Sequence, residues 1–118
     1  MSAESLEKTL KSIENLFSVL SNKDRIKILG LLFKKETDVT EIHKTLGISQ
    51  SRASQHLKLM KLGALVSERR LGKRVFYKIK APHLASVIIA ALHVQLTNFA
   101  TDPEITALIQ ETLKYWQV

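Results

Sequence analysis

Cysteine is absent from the 118-residue sequence. Disulfides, thiolate metal sites, a nucleophilic cysteine and thiol redox sensing are therefore excluded together. Glycine and proline are scarce, at four and two residues, and no Gly-rich phosphate loop, repeat, low-complexity tract or linker can be found. No run of eighteen apolar residues occurs, and the N-terminal "MSAESLEKTLK" is polar and amphipathic. Neither a membrane span nor a signal peptide is expected, so the expected location is cytoplasmic. Carboxylates paired in an apolar setting are also missing, so no catalytic constellation forms and the chain does not read as an enzyme. The length suits one compact domain over residues 1–118, and an apolar content of 45% is enough for a core.

What the sequence does hold is unevenly placed positive charge. The net charge is +7. Residues 1–39 carry seven basic and six acidic side chains, and residues 81–118 carry one and three. Residues 40–80 carry ten basic against two acidic, Glu41 and Glu68. A merely soluble basic surface would spread its charge, whereas a concentrated patch on a small domain is the footprint of a polyanion partner.

Periodicity orders the chain as α-α-α-α-β-β-α-α, mainly helical with a small β-hairpin. Leu6, Leu10, Ile13, Phe17 and Leu20 form the stripe of a first amphipathic helix. Asn22 or Ser21 caps a second, with Ile26, Leu29 and Phe33 on one face and Ile28 and Leu32 beside it. Thr40 is placed to cap a short third helix that points Ile42 and Leu46 inward and stops at Gly47. Ser49 then caps a fourth, which ends at Gly63. Two helices joined by a Gly-containing turn, over about residues 40–62, read as a helix-turn-helix. The period next changes to two: "ALVSERR" and "RVFYKIK" flank "LGK", a hairpin over about residues 65–79 with Gly72 at its tip. Pro82 suits the first turn of a fifth helix, and "LASVIIAALHVQL" is apolar around more of its circumference than a surface helix needs. Asp102-Pro103 breaks the chain before a sixth helix. Phe99, Tyr115 and Trp116 either line a pocket or pack a core, core packing being the commoner fate of aromatics.

The fourth helix opens with "SQSRASQHLK", eight of whose ten side chains form hydrogen bonds and none of which is acidic. A helix facing a DNA major groove needs donors and acceptors on its outer side and no carboxylate near the phosphates. Ala53, Leu57 and Met60 take the buried seam. Gln50, Ser51, Arg52 and Gln55 suit base edges, Ser54 and His56 flank the seam beside the DNA face and are expected to contact DNA as well, and Lys58 is placed to meet a phosphate. Arg70, Lys73 and Arg74 at the hairpin tip are in reach of the neighbouring backbone or minor groove, which makes the hairpin a wing. An edge strand protected by charge is the plainer account of these bases. It explains less well why four, Arg69 together with these three, crowd a single turn.

"VLSNKDRIKILGLL" and "GISQSRASQHLKLMKLGALVSERRLGKRVFYKI" resemble the ArsR/SmtB winged-helix repressors over about residues 15–95. Ser54-Gln55-His56-Leu57-Lys58 and "GKRVFYKI" are the most specific elements. The resemblance implies a homodimer on helices about 4–20 and 82–99, with Leu6, Leu10, Ile13, Phe17, Leu84, Ile88, Ala91 and Leu92 at the interface. It also implies double-stranded DNA as the partner, read at an imperfect inverted repeat, and repression by promoter occupancy with an effector commonly releasing the DNA. The family's metal sites are missing. Asp38 and Thr40 stand in "ETDVTEI" where a Cys-Val-Cys element is expected. Ala81-Pro82-His83 keeps one histidine of the fifth-helix site, and Val94 and Thr97 replace ligands at its far end. One imidazole does not make a zinc site, so no metal or cofactor is expected. A site formed across the dimer by His83 and His93 is the remaining option. A non-specific architectural DNA binder and a protein-docking module are the alternatives to a sequence-specific regulator. The mixed donors and acceptors of Ser51, Arg52 and Gln55 favour the regulator.

Overall fold

The computed structural model describes residues 1–117. Its contacts gather into two compact units, one of residues 1–80 and one beginning at Ala81. The fold is the expected mainly helical winged helix-turn-helix with one element more, a two-residue strand ahead of the third helix. No helix among the described residues is long and apolar enough to cross a membrane.

The first unit opens with α1 (Ala3–Leu20) and α2 (Lys23–Lys34). Asn22, not Ser21, caps α2, its side-chain oxygen accepting from the Arg25 N–H at 3.1 Å. The inward face of α2 is Ile28, Leu29 and Leu32, whereas Ile26 is exposed. The helix packs on the helix-turn-helix and the sheet, and these contacts select the 28–29–32 side. The added strand β1 (Thr37–Asp38) leads straight into α3 (Val39–Leu46). Asp38 rather than Thr40 caps α3, because the helix starts at Val39 and extended residue 38 turns a carboxylate oxygen to the Glu41 N–H at 3.0 Å. Gly47 ends α3 with φ +70°, a left-handed conformation that costs a residue with a side chain about 1–2 kcal/mol. Ser49 caps α4 (Gln50–Leu62) through the Arg52 N–H at 3.1 Å. Ile28, Leu29, Ile42, Ala53, Leu57 and Met60 are fully buried and form the centre of the core. Small Ala53 lets the helices cross closely.

Gly63 follows α4 with an ordinary negative φ, and Ala64 takes the left-handed conformation instead. The wing is β2 (Val66–Leu71) and β3 (Arg74–Ile79), paired antiparallel from Val66↔Ile79 to Leu71↔Arg74. Gly72 and Lys73 close it, and Gly72 has the positive φ wanted at the first position of a type II′ turn. β1 adds to the outer edge of β3 through Thr37↔Tyr77 and Asp38↔Phe76, giving the order β1-β3-β2.

The second unit is α5 (Leu84–Asn98) packed against α6 (Pro103–Trp116). Pro82 lies in a turn ahead of α5 and not in its first turn; the helix begins at Leu84 after His83. Asp102 caps α6 by accepting from the Glu104 and Ile105 N–H groups, each at 3.1 Å. Trp116 is buried and meets Tyr115 edge to face, so its ring belongs to the packed interior.

Candidate nucleic-acid interface

The N-terminal half of α4 turns its polar side outward. Gln50, Ser51, Arg52, Gln55 and Lys58 are exposed and Ser54 is half-buried. Gln50, Ser54 and Lys58 of α4 line one groove with Arg70, Lys73 and Arg74 of the wing, with a volume of about 240 Å³. Two segments separated in the sequence therefore present hydroxyl, amide and cationic groups to a single concave surface. Glu68 is the carboxylate among its lining residues. It is engaged by the Tyr77 hydroxyl at 2.8 Å and by Lys61 Nζ at 3.0 Å, which hold its carboxyl below the usual range. Burial, and then Glu68, push the Tyr77 hydroxyl up to about 12, so it donates at any physiological pH.

His56 departs from the sequence reading. It is 8% exposed and lies inside, not on the DNA side. The Arg25 Nε–H donates to its Nδ1 at 3.2 Å, while Arg25 Nη1 donates to the Val19 carbonyl at 3.2 Å. One guanidinium thus joins the end of α1, the start of α2 and the middle of α4. Burial first, and then Arg25, lower the His56 pKa below 6.5 and keep the ring neutral. The signal was present in the spacing: position 56 adjoins the seam residues Ala53, Leu57 and Met60.

The wing's bases are not equivalent. Arg69 makes a two-point contact with Glu36, at 2.6 and 3.3 Å, and Arg74 Nε donates to Asp38 at 3.0 Å. Both guanidinium groups also stack on Phe76, at 4.9 and 4.7 Å from the ring centre. Arg69 lowers the Glu36 pKa; for Asp38 the larger cause is the Glu41 N–H, with Arg74 adding to it. Arg70 Nε lies 3.8 Å from the Glu68 carboxylate and Lys73 sits in the turn itself, and both side chains are exposed. The sequence alone did not reveal that Glu36 and Asp38 tie the wing to the base of α3, because these pairs span 33 and 36 residues.

Among the residues expected at a subunit interface, Leu6, Leu10, Ile13 and Phe17 lie exposed along α1. Leu84 and Ile88 differ: at 3% and 8% exposed in a single chain they are already packed and offer a partner little surface. Ala91 is exposed and Leu92 half-buried, and Ala90 and Val94 add to the outward side of α5. No group of three or more His, Asp or Glu side chains among the described residues is placed to hold a metal ion.

A helix-turn-helix and a basic β-hairpin that open onto one groove define a winged-helix DNA-binding protein. Comparison narrows the class. Residues 22–67 match the family described as bacterial regulatory protein, arsR family. The chain is 31% identical over 88 residues to the transcriptional activator HlyU of Vibrio cholerae, spanning 75% of this chain and 82% of that protein. It is 30% identical over 90 residues to the biofilm growth-associated repressor of Xylella fastidiosa, spanning 76% and 79%. The homodimeric winged helix-turn-helix DNA-binding domain of Mb0332 from Mycobacterium bovis superposes with a TM-score of 0.71 at 28% identity, covering 86% of this chain and 92% of that one. The chain belongs to the ArsR family. It is a DNA-binding transcriptional regulator and not an enzyme, and the architectural and docking readings are not favoured.

Proposed function

We propose that the protein binds an imperfect inverted repeat in double-stranded DNA as a homodimer and represses transcription by occupying the promoter. The single observation that carries this reading is the groove shared by α4 and the wing, with the Gln50 amide and the Ser54 hydroxyl at one side and Lys58, Arg70, Lys73 and Arg74 around it. α4 enters the major groove. Gln50, Ser51, Arg52 and Gln55 read base edges, Ser54 and Lys58 meet the backbone, and the wing tip grips a flanking phosphate or the minor groove. The exposed apolar stripe of α1 and the outward side of α5 are the surfaces offered to a second copy. Two α4 helices then lie about 34–36 Å apart, one turn of DNA. With no cysteine in the chain, release from DNA by a thiolate-bound metal or a thiol switch has no ligand here.

The test is selection of bound fragments from the source genome followed by footprinting. Protection of two half-sites on one face of the duplex, at one-turn spacing, is the expected result. Binding without sequence preference would replace this reading with an architectural one.

A further inference from the structure

The first turn of α2 places two opposite charges beneath the recognition helix. Arg25 grips His56 as described, and its neighbour Asp24 reaches Arg52, with Oδ2 at 3.6 Å from Nη2. The Asp24 side chain is 18% exposed and the Arg52 side chain 62%. The carboxylate is therefore nearly enclosed, and the guanidinium it faces is on the open surface. A second observation points at the same carboxylate. Because His56 Nδ1 accepts from Arg25, the neutral ring carries its proton on Nε2. That buried N–H has no hydrogen-bond partner among the described residues and lies 3.9 Å from Asp24 Oδ2. A shift of about 1 Å would bring the two into hydrogen-bond range. Asp24 also sits in the first turn of its helix, where backbone N–H groups favour negative charge.

We propose that Asp24 is a specificity-determining positioning residue, whose carboxylate orients the Arg52 guanidinium toward one base edge of the operator. The inference rests on α4 being the helix that reads bases. A free arginine has many rotamers to lose on meeting a guanine, and its planar fork recognises that base only when correctly aimed. A carboxylate on one edge of the guanidinium removes much of that freedom before DNA arrives and leaves the opposite donors exposed. Arg25, His56 and Asp24 thus link the buried core to the outermost reading group. The same negative charge repels phosphates, so Asp24 lowers affinity for DNA in general while sharpening the choice among sequences. A residue kept only for packing would not act on the two in opposite directions.

The experiment measures binding to the selected operator, to operators changed one base pair at a time and to a random duplex, by fluorescence anisotropy at one salt concentration. Asp24→Asn is expected to cut the operator-to-random ratio by about tenfold, the scale of one good base contact. Its affinity for random DNA should hold or rise. The loss should fall at the base pair to which Arg52→Ala is also blind, and in an Arg52→Ala background Asp24→Asn should add nothing. Asp24→Glu, which keeps the charge, should restore part of the ratio and serves in its place if Asp24→Asn melts early. Equal weakening of operator and random DNA, or additivity with Arg52→Ala, overturns the proposal. If Gln55→Ala and Ser51→Ala lower the ratio but Arg52→Ala does not, the reading helix stands and this inference falls. If none of the three lowers it, the reading of α4 falls and takes the inference with it.

Discussion

His56 shows how one position changes meaning once its neighbours are known. The groups facing it are Arg25 and Asp24 from α2 and Arg52 on its own helix. Burial, with Arg25, lowers its folded pKa below that of an unfolded imidazole near 6.5. The unfolded chain therefore takes up this proton first as pH falls. Stability is full above about pH 6.5 and declines below it, until the folded ring protonates too. The melting temperature should fall between pH 7.5 and 5.5, and His56→Gln should flatten that fall. An unchanged slope in the variant would mean that another group is responsible. Glu36, Asp38 and Glu68, whose folded pKa values are also lowered, act in a separate window, losing their contribution as pH drops through the carboxylate range. Gly47 supports a second expectation. A Cβ there would meet nothing within 4 Å, so only φ +70° resists substitution. Gly47→Ala should cost about 1 kcal/mol in urea unfolding. A much larger loss would point to a clash that the open space at this turn does not suggest.

At the scale of the element, β1 and the wing behave as one piece. Asp38 both caps α3 and holds Arg74, and the two roles separate by mutation. Asp38→Asn keeps a capping oxygen and loses the ion pair, which matters little with Arg74 mostly exposed. Asp38→Ala loses the cap as well and should unfold about 1 kcal/mol more easily than Asp38→Asn. Equal stability of the two variants in urea would mean that the cap contributes nothing. The same pairing ranks the wing's bases for DNA. Lys73 is exposed at the turn, so Lys73→Ala should weaken operator and random DNA alike and reduce the salt slope by about one. Arg69→Ala should change the slope less, since that guanidinium already meets Glu36. An anisotropy series across salt concentrations that showed the reverse order would mean that the Glu36 pair opens on binding.

The whole molecule is completed, on the proposed reading, by a second copy of itself. Phe17 is 58% exposed on the apolar stripe of α1. Phe17→Ser should therefore leave a folded chain that sediments as a monomer and binds the operator weakly. Ile88→Asp should instead fail to fold, because it puts an unpaired charge where a single chain already buries an isoleucine. Sedimentation and circular dichroism of the two variants check this contrast. A wild type that is monomeric at micromolar concentration would remove the paired half-sites from the model of binding.

Local physics carried most of the fold. Apolar spacing, the caps at Asn22 and Ser49, and the turn glycines Gly47 and Gly72 act within a few residues, so the helix-turn-helix, the wing and their order were legible in the sequence. So was the outward polar side of α4, because one acid-free run of Ser, Gln and Arg has few other uses on a helix. Tertiary structure alone decided the rest. It added β1, which two residues could not announce and which exists because β3 offers an edge. It moved the cap of α3 from Thr40 to Asp38, turned His56 inward, and packed Leu84 and Ile88 within the chain. It also divided the basic residues of the helix-turn-helix and wing into those paired with Glu36, Asp38, Asp24 and Glu68 and those, such as Lys73, standing outward. Charges about thirty residues apart in sequence meet only after the core has closed, and no periodicity records which of them will pair.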